Sequence, residues 1–202
     1  MATYTLSPEG NALDSIRQME RALREDGASI GGLKAGLFWG WHAVGLLFYS
    51  RIFPRRKDFD PWVQDYFKTW SDEPNASQAL VEGGSQLSLM QILDLLSEAE
   101  LPSLQPEFYQ GWRDRTARCV ELRNKVASIT GVTVSAAQRE ELLFLAAVDH
   151  HLVASPVDTV LDLDRIRGSL VKLIDLLELL ISASWKSADA LKSSLSACRE
   201  AL

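Results

Sequence analysis

The chain has 202 residues and a formal net charge of −6, a length at which roughly 70% of the unfolded surface can be buried without disulfides or metals. The acidic balance excludes a general nucleic-acid coat protein, which needs a large phosphate-neutralising field. Cys119 and Cys198 lie far apart in helical-looking segments, and the N-terminus carries no secretory pattern, so both are expected to be reduced packing residues in a cytoplasmic protein.

Helix signals run along the chain and strand signals are nearly absent. Ser7-Pro8-Glu9 supplies an N-cap, a proline at the first helical position and an early acid, and predicts a helix to Asp26-Gly27. A second helix is predicted from near Ser29 to just before Pro54, and Asp60-Pro61 opens a short aromatic one, PWVQDYFKTW. Residues 72–86 read as an internal loop region, followed by the amphipathic LSLMQILDLLSEAELP ending at Pro102.

A long helix is then predicted from about Pro106 to Thr130, closed by Gly131, and Ser135 with Gln138 forms a capping box for one reaching His151. Ser155-Pro156 and Asp158 start the Leu-rich stretch through Ile181, and a last helix covers Lys186 to Ala201. The pattern leaves open whether Val157 to Leu202 is one bent rod or two helices. Without period-2 alternation or a repeat of 20 to 50 residues, the reading is an all-α, single-domain bundle of about seven helices over residues 1–202.

Ala35 to Ser50, AGLFWGWHAVGLLFYS, holds no charged side chain, and Gly32, Gly36 and Gly40 share one helical face. A membrane span needs about 20 apolar residues, and Lys34 and Arg51 bound this run, so it reads as a central bundle helix rather than a membrane-associated segment. Glycine at helix-interior positions 32, 36, 40 and 45 costs up to about 1 kcal/mol each relative to alanine and asks for close packing in return. His42 on this helix is either a core histidine bonded to a carbonyl or a site residue facing a cleft.

Other chemistry finds little support. Asp149-His150-His151 points in diverging directions on a helix, the cysteines lack zinc-ligand spacing, and Gly83-Gly84 lacks a phosphate-loop context. No GxSxG elbow and no ExxH carboxylate motif is present, so no catalytic residue, metal or cofactor is assigned.

What remains is CVELRNKVASITG. Traced inward from Trp112, the helix presents Thr116, Cys119, Arg123, Val126 and Thr130, which sets Arg123 among packing residues. A guanidinium there requires a carboxylate such as Glu121, a phosphate or several carbonyls, because an uncompensated charge is costly. Basic residues cluster around it as Arg113, Arg115, Arg118, Arg123 and Lys125, and a second cluster comprises Arg51, Arg55, Arg56 and Lys57.

The segment VELRNKVAS resembles the signature of HEPN-domain proteins, all-α bundles whose nuclease members carry an Arg-polar-x-x-x-His motif, often with an acidic residue just before it. Here the sequence reads Glu121-Leu122-Arg123-Asn124, and the histidine place is taken by Ser128, which cannot do the acid–base work of imidazole near neutral pH. The resemblance therefore implies a non-catalytic module in which Glu121, Arg123 and Asn124 serve binding or dimerisation. It also implies a homodimer or protein partner, contact with RNA through Arg123 and the turn Arg55, Arg56 and Lys57, and a setting in prokaryotic toxin–antitoxin or phage-defence systems.

Two alternatives stand beside it: an RNA-cleaving enzyme that recruits His42, and an adaptor subunit without a nucleic-acid role, held through the Leu-rich helix around Val157 to Ile181. Aromatic residues between Trp39 and Trp70 are read as core, with Pro54 to Trp70 as an exposed recognition edge.

Overall fold

Ser7 is extended, with φ −84° and ψ 147°, and its hydroxyl accepts the Gly10 N–H at 3.0 Å, so the chain turns directly into helix α1, Pro8–Asp26. The same device starts α2, Ile30–Ile52, where the Ser29 hydroxyl accepts from Gly32 N at 3.1 Å. Pro54 then ends α-helical bonding, and a 3-10 helix runs over Phe53–Asp58. The computed structural model describes residues 7–27, 29–59, 89–97, 115–154 and 162–202.

The remaining elements are α3, Leu89–Leu96; α4, Arg115–Thr130; α5, Ala136–Ala154; α6, Leu163–Leu180; and α7, Ala188–Glu200. Seven α-helices among the described residues bear out the all-α bundle. The expected aromatic helix after Asp60, the loop at 72–86, the start of the long helix at 106–114 and the Ser155-Pro156 cap lie outside the described residues. Beyond the helices, the described backbone pairs once in parallel, where Ser97 meets Val134.

Helix ends follow their predicted chemistry. The Ser135 hydroxyl accepts from Gln138 N at 3.3 Å while the Gln138 side chain accepts from Ser135 N at 3.3 Å, the reciprocal arrangement of a capping box at α5. Gly131, at φ 65°, closes α4 with its N–H bonded to Ala127 O at 2.7 Å. The C-terminal question resolves into two helices: α6 stops where Ile181 adopts an extended φ −70°, ψ 125°, and α7 starts after Ser187.

Helix α2 is the centre of the bundle, contacted by α1, α3, α4, α5, α6 and the 3-10 turn. Its glycines explain the approach of two neighbours. A Cβ on Gly40 would sit 2.7 Å from Leu173 Cδ2 of α6, and one on Gly36 would sit 2.9 Å from Leu23 Cδ2 of α1. The Leu-rich α6 lies inside the same core, burying Ile166, Leu170, Leu173, Ile174, Leu176, Leu177 and Leu180. Each such side chain contributes about 1.5–3 kcal/mol, so its apolar girth is consumed within this chain, apart from Leu179 at 47% exposure. Among the described residues no helix is long and apolar enough to cross a membrane.

Candidate functional site

Helix α4 buries Leu122, Val126 and Thr130, three residues spaced four apart. At about 100° per residue, that stripe turns Glu121, Asn124 and Ser128 outward, and all three are exposed. Arg123 is half-buried on the flank of the stripe. The sequence row through Arg123, Val126 and Thr130 is thus displaced by one residue, because the apolar Leu122 takes the inward place. The arginine–asparagine pair forms a shoulder and an outer face of α4 rather than a core position.

The second basic cluster divides. Arg51 turns inward, its Nη1 donating to Leu180 O at 3.3 Å and its Nη2 to Thr130 O, so one guanidinium caps the C-terminal ends of α6 and α4. Burial draws its pKa below the ordinary arginine value. Arg55 stays at the surface with Nε 2.6 Å from Asp58 Oδ2, and Arg56 lies over the Phe53 ring at 4.2 Å with Nη1 donating to Phe53 O at 3.3 Å. Lys57 is exposed. The cap was legible only in part: Arg51 read as one more member of a solvated run, and nothing local showed that two helix ends would converge on it.

Lys125 of the first cluster reaches the second at Phe59. This side chain is 4% exposed and lies under the ammonium of Lys125, 5.4 Å from the ring centroid. Phe59 directly follows the 3-10 turn carrying Arg55, Arg56 and Lys57, so this contact joins α4 to the end of that turn. Lys125 and Phe59, far apart in sequence, meet for a simple reason: the turn continues directly from α2, against which α4 packs. Trp62, Tyr66, Phe67 and Trp70, the rest of the expected aromatic edge, lie outside the described residues.

His42 lies elsewhere. It is exposed on α2, nine residues and therefore about half a turn of angle from Arg51, so it faces away from the side that holds the end of α4. Its exposure corrects the reading of His42 as a core histidine bonded to a carbonyl. Its Nδ1 is 2.8 Å from Ser15 Oγ, and the ring stands edge-on to Trp39 at 6.0 Å. The Ser15 hydroxyl also donates to Asn11 O at 2.9 Å, which ties His42 to α1. The described contacts of one chain do not bring His42 to Arg123.

Among the described residues no group of three or more His, Cys, Asp or Glu side chains could hold a metal ion. No family model matches the chain, and no curated protein or solved structure matches it.

Proposed function

We propose that the chain is a non-catalytic, HEPN-like helical binding module that docks on a partner through α4 and the adjoining basic turn, contacting RNA with Arg55, Lys57, Lys125 and the Arg123–Asn124 shoulder. The observation that supports this reading is the Lys125–Phe59 contact at 5.4 Å, which brings one lysine of α4 next to the residue that follows the turn of Arg55, Arg56 and Lys57. Ser128 at the position of the family's histidine is exposed beside Asn124, and a hydroxyl there supplies hydrogen bonds to a ligand without the proton transfer that cleavage needs.

A labelled single-stranded RNA titrated by fluorescence anisotropy over a salt series tests the reading. The triple charge reversal Arg55→Glu, Lys57→Glu and Lys125→Glu is expected to weaken binding and to flatten the slope of log affinity against log salt by about 2, since each phosphate contact on a single strand contributes about 0.7. Native mass spectrometry of the gently purified protein reads a co-purifying chain or RNA in parallel. If Arg123→Ala and the charge reversals leave oligomeric state, partner binding and RNA binding all unchanged, the reading fails. RNA cleavage abolished by His42→Ala would replace it with the nuclease alternative.

A further inference from the structure

The basic turn is engaged from within its own sequence. Phe53–Asp58 reads FPRRKD, so a single carboxylate stands in the same element as three cations. Arg55 reaches it: the guanidinium Nε is 2.6 Å from Asp58 Oδ2, and the two side chains are 62% and 40% exposed. Arg56 is turned onto Phe53, 4.2 Å over the ring, with Nη1 donating to Phe53 O at 3.3 Å. Lys57 is exposed. Asp58 thus lowers the charge of the turn from +3 to +2 and holds the more exposed of its two guanidiniums.

We infer that Asp58 is an internal competitor for the ligand of this turn: it occupies Arg55 in the free protein and is displaced from it by a phosphodiester when RNA docks. The inference rests on the RNA-binding reading proposed above and adds how that site is held in check. Both side chains are open to solvent, and an exposed pair across i,i+3 is weak, so an incoming anion can take the carboxylate's place. The carboxylate engages Arg55 through Nε. A phosphate presents two oxygens that can take Nε and a terminal nitrogen side by side, the stronger, bidentate arrangement. Contacts of the strand with Lys57 and Lys125 hold a phosphate near Arg55, so the exchange becomes intramolecular once RNA has docked.

Fluorescence anisotropy with a labelled single-stranded RNA reads the competition. Asp58→Asn keeps the shape of the side chain and removes its charge, and it is expected to bind RNA about two- to fivefold more tightly than the wild type, the range that an exposed pair supplies. Glu200→Gln removes the same charge from the exposed end of α7, which packs on α1 and α6, and should leave the affinity near the wild-type value. In an Arg55→Gln background the gain from Asp58→Asn should fall to that of this control, because the carboxylate then has no guanidinium to hold. The cycle separates competition for one side chain from a general rise in positive charge. Residues 55, 58 and 200 are all exposed, so the variants should fold.

Heteronuclear NMR of the arginine side chains reports the pair itself. The Arg55 Nε–H resonance should move on Asp58→Asn in the free protein, and in the wild type it should move again when RNA is added. A wild type that binds RNA and loses it on the triple charge reversal, yet is only matched in affinity by Asp58→Asn, overturns the inference and leaves the binding reading standing. A gain that persists undiminished in the Arg55→Gln background overturns it as well, since the effect is then general electrostatics. Absence of RNA binding by the wild type and Asp58→Asn alike removes both ideas together. RNA binding that emerges only in Asp58→Asn is the expected result in its strongest form.

Discussion

Arg51 and Thr130 are 79 residues apart, yet the guanidinium of the first donates to the last carbonyl of α4 held by the second, while its other terminal nitrogen reaches Leu180 O at 3.3 Å. Both acceptors sit at helix C-termini, where the partial negative charge of the macrodipole favours a cation. Replacing Arg51 by Met removes two charge-assisted bonds. Discounted for partial exposure, the expected loss is about 2–3 kcal/mol, read as a lower urea midpoint. Arg51→Lys should lose most of this as well, since one ammonium does not reproduce a planar fork with two separated donors. Hydrogen exchange would show the faster opening at Ala127 to Val134, the segment that the clamp secures.

Gly131 gives a second prediction at the same helix end, where an added Cβ would sit 3.9 Å from Arg51 Nη2. At φ 65°, any side chain brings Cβ against the carbonyl, at about 1–2 kcal/mol for alanine. Asparagine tolerates that conformation better, so Gly131→Asn should fall between wild type and Gly131→Ala in thermal unfolding. Equal stabilities for Ala and Gly would mean that the helix end relaxes to another conformation.

Helix starts and the central place of α2 were legible because they depend on local chemistry: Ser7 before Pro8, Ser135 three before Gln138, and a charge-free run bounded by Lys34 and Arg51. The facing of α4 was legible only to within one residue. Cys119, Arg123 and Val126 form as regular a row as Leu122, Val126 and Thr130, and only the neighbours decide between them. Pairings such as Arg51 with Thr130 or Lys125 with Phe59 were not legible, because they depend on which helix ends converge in space. His42 was misplaced for a related reason: an apolar context in sequence surrounds it, yet its own stripe of α2 faces outward.

The ion pair of Asp94 with Arg139 should be the most sensitive polar contact in the described core. Asp94 Oδ1 accepts from Arg139 Nη2 at 2.5 Å and Nε at 3.2 Å, and the two side chains are 3% and 14% exposed. Removing one partner takes the direct ion pair away from the other, largely buried charge, so Asp94→Ala is expected to cost about 3–5 kcal/mol. Asp94→Leu combined with Arg139→Met should recover much of that, since apolar replacements of a buried pair are often neutral. A double-mutant cycle by chemical denaturation checks it, and additive single effects would show that the pair is not coupled.

Cys198 predicts an alkaline limit. The side chain is fully buried, its thiol donates weakly to Ile16 O at 3.7 Å, and burial first, then the Glu20 carboxylate, pushes its pKa up to about 12. In the unfolded chain a thiol ionises near pH 8.5, roughly. The folded pKa is the higher one, so the fold holds its proton while the unfolded state releases it, and stability is fully present below the unfolded value and lost as pH rises towards the folded value. The slope is about 1.4 kcal/mol per pH unit for one proton, so between about pH 8.5 and 10 the wild type should lose up to about 2 kcal/mol more than Cys198→Ala. The difference of slopes matters, since the alanine variant starts from a lower stability through its cavity, and lysine and tyrosine titrations cancel between the two proteins. Native Cys198 should also resist alkylation at pH 8 until the chain unfolds. Parallel stability curves, or rapid labelling of that thiol in the native protein, would place Cys198 at the surface and contradict the packing of α7 on α1.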